Sequence, residues 1–273
     1  MSATDVVSDG LVVAKRNLIK IKRIPDLLIW TVLQPIMFVL LFAYVFGGAI
    51  DVPGVNYREF LIAGVFVQTV AFGSSLTAVG LAEDLQKGII DRFRSLPMSR
   101  SAVLVGRTTS DLANNALVVV VMTLCGLIVG WRIRDGVLSG IGGFLLLFGF
   151  AYAMSWVSAT IGLAAKTVEV AQSAGFIWLF PLTFVSNAFV PLNSLPTPLQ
   201  HFAEWNPISA VVAGCRELWG NVAPASVADG IGAAGSDAWS MQHPVITSIG
   251  WIVLILVIFI PLSIRKYRQA AAS

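Results

Sequence analysis

Long apolar runs alternate with short polar breaks along this chain. Six of the runs come close to or exceed the ~20 residues needed to cross a hydrocarbon core: residues 27–48, 60–82, 103–130, 138–165, 170–190 and 245–264. Pro35 lies inside the first and should kink it, and Pro181 interrupts the fifth. The second carries Gln68, Thr69, Ser74, Ser75 and Thr77, groups that call for partner helices or a wet cavity rather than lipid. The fourth is rich in Gly, Ala and Ser, as close helix–helix approach requires.

Two further segments have helical periodicity on one face only. In 4–24, Leu11, Ala14, Leu18 and Ile21 form a stripe beside Lys15, Arg16, Lys20, Lys22 and Arg23, and Pro25 ends the pattern. This predicts a helix lying in the membrane interface, drawn to anionic lipid. In 83–97, Leu85, Ile89, Ile90, Phe93 and Leu96 share a face, with Glu83, Asp84, Lys87, Asp91, Arg92 and Arg94 around them. Pro97 stops it. This short charged helix between the second and third spans must bury its stripe either in the headgroup layer or in a groove on a soluble partner.

Residues 195–219 are too apolar for an ordinary loop and too broken for a span. Pro196, Pro198 and Pro207 divide them into helical pieces over 198–205 and 208–218, a pattern of re-entrant or interfacial helices. Residues 221–243 are Gly/Ala/Ser-rich and read as a surface loop. The expected architecture is thus an all-α membrane protein in one transmembrane domain over 1–273. It has six transmembrane helices, an N-terminal interfacial helix, a cytoplasmic helix between spans two and three, and broken helices before span six.

Charge sets the orientation. The N-terminal segment, 83–111, Lys166 and the C-terminal tail hold 14 of the 18 lysines and arginines, and Arg58, Arg132, Arg134 and Arg216 lie opposite. By the positive-inside bias both termini and the charged helix are cytoplasmic, in a multi-pass plasma-membrane protein, and the broken segment faces outward. Composition agrees, with 56% hydrophobic and 12% charged residues where a soluble domain has about 25% charged. The net charge of +3 is small, and no nucleic-acid partner is expected. The N-terminus has no cleavable signal pattern. Cys125 and Cys215 are too few and too separated for a disulfide framework.

Chemistry is sparse. No phosphate-binding loop is present: residues 162–167, Gly-Leu-Ala-Ala-Lys-Thr, lack the glycine before the lysine and end a span. His201 and His243 are isolated, so no metal site is expected, and no nucleophile–base arrangement is suggested. Arg107 and Asp111 are four apart and can pair on one helix face. Glu169 stands near Lys166, which favours an ion pair. The alternative is an ion-coupled transporter or channel using Arg107, Asp111 and Glu169 as a relay. Gln68, Phe72, Phe184 and Asn187 are candidates to line a substrate path.

Six spans with these flanking helices resemble the type 2 permeases of the ATP-binding-cassette (ABC) family. Glu83-Asp84, Gly88, Arg94, Pro97 and Arg100 are similar to its cytoplasmic pattern, and Phe189-Val-Pro191, Leu195-Pro196 and Asn206-Pro207 to its outward-facing block. The likeness covers nearly the whole chain and is greatest to the daunorubicin-resistance permease subgroup. It implies a non-enzymatic exporter subunit without a cofactor of its own, moving an amphipathic drug or lipid-like substrate. ATP and Mg²⁺ would be bound by two copies of a separate ATP-binding subunit. That subunit would dock on Glu83, Asp84, Leu85, Lys87, Gly88, Ile90, Asp91, Phe93 and Arg94. A second permease copy or a sister would complete the dimer, with substrate leaving past spans one, two and five.

Overall fold

The computed structural model describes residues 25–46, 56–88, 100–222 and 236–270. The expected interfacial helix 4–24 and residues 89–97 of the charged helix lie outside them. The described residues are helical, with no strand among them. Helix α1 (Pro25–Leu41) continues into a π-helical turn, Phe42–Phe46; α2 (Tyr57–Gly73) and α3 (Ser75–Gln86) follow. Then come α4 (Arg100–Val129), α5 (Gly136–Ala164), α6 (Val168–Phe184), α7 (Thr197–Glu204), α8 (Pro207–Trp219), α9 (Trp239–Gln242) and α10 (Pro244–Ala270).

Helices α2 and α3 form one rod. Ser74 between them keeps right-handed helical angles (φ −64°, ψ −22°), and its hydroxyl donates to Ala71 O at 2.6 Å. The rod starts where the Asn56 side chain accepts from the Arg58 N–H at 3.0 Å. It runs through Gln86, so Glu83, Asp84 and Leu85 extend the second span instead of opening a separate helix. The break falls at Gly88, whose φ of +63° suits glycine, while Lys87 N and Gly88 N donate to Glu83 O and Leu85 O.

Among the described residues four segments are long and apolar enough to cross a membrane: Tyr57–Gln86, Leu104–Val129, Gly136–Ala164 and Pro244–Gln269. Helix α6 is apolar but has only 17 residues, about 26 Å of helix against a ~30 Å hydrocarbon core. The sequence pattern predicts it to Val190, yet it stops at Phe184. Asn206 Nδ2 donates to Leu182 O and Val185 O, each at 2.7 Å, satisfying carbonyls that a continuing helix would have used. The irregular residues beyond, Ser186 to Phe189, are buried in protein, the condition under which non-helical backbone is tolerated at membrane depth. The two broken pieces fall within a residue of their expected positions, as α7 and α8. Asn206 caps α8 and left-handed Gly220 (φ 70°) ends it.

The rod is the centre of the bundle: 78% of its most apolar stretch is buried within the chain, against 17% for Pro244–Gln269. Helix α5 packs on the rod through small residues. A Cβ on Gly162 would overlap the Ala78 backbone, and Ser74 and Ser158 hydroxyls meet at 3.2 Å. On its other side α5 meets α10, where the Thr160 and Ser263 hydroxyls are 2.7 Å apart. One end of the bundle holds Leu81, Leu104, Leu163 and Tyr267 in a single cluster. The other holds Trp131 and Trp219, with ring centroids 5.1 Å apart, and Asn221, which accepts from Trp131 Nε1 at 2.6 Å. Cys125 and Cys215 are free.

Candidate functional site

Polar groups gather at three places, two at the ends of the rod and one on its flank. At the Gly88 end, Arg107 and Asp111 of α4 form the expected pair, Nε to Oδ2 3.4 Å. The pair also reaches across to the rod. Thr77 Oγ1 donates to Asp111 Oδ2 at 2.6 Å, and Arg107 Nη2 donates to Leu76 O at 3.2 Å. The guanidinium fits because residue 80 is glycine, where a Cβ would overlap it. The start of α4 is thereby fastened to the segment that carries the charged stretch. Glu83 and Lys87 pair at 3.2 Å on its exposed side. Of the expected docking residues, Ile90, Asp91, Phe93 and Arg94 lie outside the described residues.

On the flank is a cavity of about 370 Å³ between α1, the rod, α4 and α6. Gln34, Gln68, Thr69, Ser75, Asn115 and Gln172 supply uncharged polar groups, and Phe38, Phe72 and Phe176 supply rings. The Ser75 hydroxyl is buried without a hydrogen-bond partner. Among the described residues no charged side chain lines it. An arc of rings leaves the cavity and returns to it. Phe72 touches Phe176 and Phe180 (5.7 and 5.2 Å between centroids), and Phe180 meets Phe184 at 5.9 Å. Phe184 meets Phe189 at 5.6 Å, Phe189 meets Phe42 at 4.8 Å, and Phe42 meets Phe38 at 5.8 Å. These spacings are those of stacked and tilted aromatic pairs.

Of the four residues named for a substrate path, Gln68 and Phe72 line the cavity and Phe184 lies on the arc. Asn187 does neither: it is fully buried, and its side-chain amide has no hydrogen-bond partner. The cavity is also lined by Gln34, Asn115, Gln172 and Phe176, and the arc includes Phe180; none of them was named for a path from the sequence. Their signal was present in part, because Phe176, Phe180 and Phe184 recur every fourth residue and so share one face of α6.

At the far end, Glu59 and Arg134 make a two-pronged pair, Nη2–Oε1 2.6 Å and Nε–Oε2 3.2 Å. Arg216 is fully buried there, donating only to backbone carbonyls of Phe60, Asn187 and Ala188. At the end of α7, Glu204 accepts from Ser236 Oγ at 2.6 Å and lies 3.1 Å from His201 Nδ1. Burial alone would raise this carboxyl, yet the hydrogen bonds from Ser236, His201 and Gln200 and the His201 charge hold it below the usual glutamate range. The expected Glu169–Lys166 pair is absent. Thr167 instead caps α6, accepting from the Val170 N–H at 3.3 Å, and Glu169 stays on the exposed first turn. Asp111 is engaged by Arg107 and Thr77, and neither of them contacts Glu169. Among the described residues no three His, Cys, Asp or Glu gather to hold a metal.

The sequence profile described as ABC-2 type transporter matches residues 10–218. Over 257 residues the chain is 33% identical to the daunorubicin resistance ABC transporter permease protein DrrB1 of Streptomyces coeruleorubidus, covering 94% of this chain and 85% of that protein. It is 28% identical to the putative transport permease ycf38 of Cyanophora paradoxa (78% and 74% covered). It is 24% identical to the probable doxorubicin resistance ABC transporter permease protein DrrC of Mycobacterium tuberculosis (77% and 76% covered). With a helical bundle that crosses the membrane repeatedly, the chain belongs to the ABC-2 type transporter family as a permease subunit, which binds no cofactor itself and works with a separate ATP-binding subunit.

Proposed function

We propose that this permease exports a flat, amphipathic, aromatic-rich compound of the anthracycline kind, with ATP hydrolysed by its partner subunits. The observation that carries this is the cavity on the flank of the rod. Uncharged amide and hydroxyl groups suit a ligand with its own carbonyls and hydroxyls, and the arc of phenylalanines gives a flat ring system successive faces to stack on. The names of relatives that confer daunorubicin or doxorubicin resistance agree with such a cargo.

In this reading the chain is one permease domain of six spans, α1 and α6 joining the four long ones. Both termini and Gly88 face the cytoplasm of a cell whose plasma membrane holds the protein. Two copies, or one with a sister permease, close the cavity between them and engage two ATP-binding subunits. Each ATP-binding subunit grips the charged stretch at Glu83, Asp84, Leu85, Lys87, Gly88, Ile90, Asp91, Phe93 and Arg94, and lipid surrounds α10. The rod then carries the movement of that stretch past the cavity. The test is ATP-driven daunorubicin export from proteoliposomes holding the complete transporter. Phe176→Ala with Phe180→Ala should cut export at least 10-fold while leaving ATP hydrolysis in place. Undiminished export would defeat the assignment of this route.

A further inference from the structure

We propose that Arg216 is a positioning residue for transport, the joint through which displacement of the α2–α3 rod reaches the irregular segment after α6. The inference rests on the exporter reading above. Arg216 belongs to α8 and is 1% exposed. Its Nε donates to Phe60 O at 2.9 Å, in the first turn of the rod. Its Nη2 donates to Asn187 O at 2.8 Å and to Ala188 O at 3.2 Å, and its guanidinium lies 3.4 Å from the centre of the Phe60 ring. Tyr57 Oη, three residues earlier in the same turn, donates to Phe189 O at 3.2 Å. Three consecutive carbonyls, at 187, 188 and 189, are therefore held by side chains of the rod and of α8. Gly64 completes the contact, because a Cβ there would overlap the Ala188 carbonyl.

The chemistry of this joint is not that of an ordinary packing contact. Among the described residues Arg216 is bonded to no carboxylate, and its charge is stabilised by carbonyl dipoles and the Phe60 face. Apolar side chains would fasten three segments at least as well. A guanidinium adds a rigid fork of donors that fixes their mutual geometry. Its Nη1 has no hydrogen-bond partner among the described residues. The far side of the joint is the ring arc that runs out from the cavity. Phe189, whose carbonyl Tyr57 holds, is a member of the ring arc, between Phe184 and Phe42. Arg107 fastens the Gly88 end of the same rod to α4. A stroke delivered at Gly88 thus arrives, through a stiff and mostly buried helix, at the carbonyls that position the arc.

The test uses the complete transporter, permease with its ATP-binding subunit, in proteoliposomes, and reads daunorubicin exported per ATP hydrolysed. Arg216→Gln should lower that ratio at least 10-fold with ATP hydrolysis within about twofold of the parent, and Arg216→Lys should recover part of it. Tyr57→Phe, which removes one hydrogen bond and little else, should lower it about two- to fivefold. Arg134→Gln breaks an ion pair at the same end without touching residues 187–189, and it should leave the ratio unchanged. An unchanged ratio in Arg216→Gln, or export and hydrolysis falling in proportion, overturns the proposal. Should Arg216→Gln fail to assemble, an unchanged ratio in Tyr57→Phe overturns it as well. A parent complex that exports nothing on ATP addition instead overturns the exporter reading itself.

Discussion

Arg107 places its guanidinium in the space that a Cβ on Gly80 would fill. The two residues are on different helices, and their fit brings α4 onto the rod just before the charged stretch begins. From that position Arg107 reaches both Asp111 and the Leu76 carbonyl. Gly80→Ala should expel the arginine without closing the helix contact, since the obstructing atoms are the tip of a flexible side chain. Helix propensity favours the alanine by up to about 1 kcal/mol, less than the loss of the Arg107–Asp111 pair costs, so melting of the purified protein should fall. Coupling of export to ATP hydrolysis should fall; parent-like coupling would show that the slot has no part in transmission.

Removing one member of the Arg107–Asp111 pair should be far worse than removing both. Both side chains are mostly buried, at 14% and 10% exposure. Breaking such a pair costs about 3–5 kcal/mol, because the survivor is left uncompensated. Arg107→Met should therefore lower the melting temperature strongly, and Arg107→Met with Asp111→Leu should recover most of the loss. Additive effects in this cycle would contradict the mutual stabilisation described.

The glycines of α5 and α10 should respond in opposite directions. Gly162→Ala puts a methyl group into the Ala78 backbone, which cannot rotate away, so α5 must shift off the rod at about 1–3 kcal/mol. Gly250 has open space around its Cβ position, so Gly250→Ala should be neutral or gain up to about 1 kcal/mol. Thermal unfolding in one detergent, compared across the two variants, checks the order.

Changes in the charged stretch should separate the motor from the cargo. Gly88 sits at φ +63°, which proline's ring forbids, so Gly88→Pro must rebuild the exit from the rod. Together with Phe93→Asp, it should leave membrane insertion intact while abolishing ATP-driven export. Unchanged export in both variants would remove this stretch from the coupling path. The purified permease alone should hydrolyse no ATP.

Acid should loosen α9 before the rest of the chain. Glu204 holds Ser236 and, through its own carbonyl, Ser240. Its folded carboxyl lies below the usual range, so the stability it contributes is complete above the unfolded-chain value of about 4.3 and is lost as pH falls through the lower folded value. Hydrogen exchange at residues 236–242 should be slow at pH 6 and quicken below pH 4 relative to α5. In Glu204→Gln this acid-induced change should disappear.

The helices and their rough limits were legible along the chain, because hydropathy and periodicity depend on near neighbours in sequence. So were the break at Pro207 and the Arg107–Asp111 pair, which is four residues apart on one face. The pull of Asn206 on the end of α6 was not legible, since it joins residues more than twenty positions apart. Nor was the merging of α2, α3 and Glu83 to Gln86 into one rod, because polar composition there signals exposure as readily as a separate helix. The cavity, the slot beside Gly80 and the grip of Arg216 on three carbonyls depend on how helices are rotated and how closely they approach. Apolar surfaces specify such registers only collectively, through many small packing contacts. A one-dimensional pattern says which face of a helix is oily; which glycine then lies opposite which arginine emerges only when the faces have met.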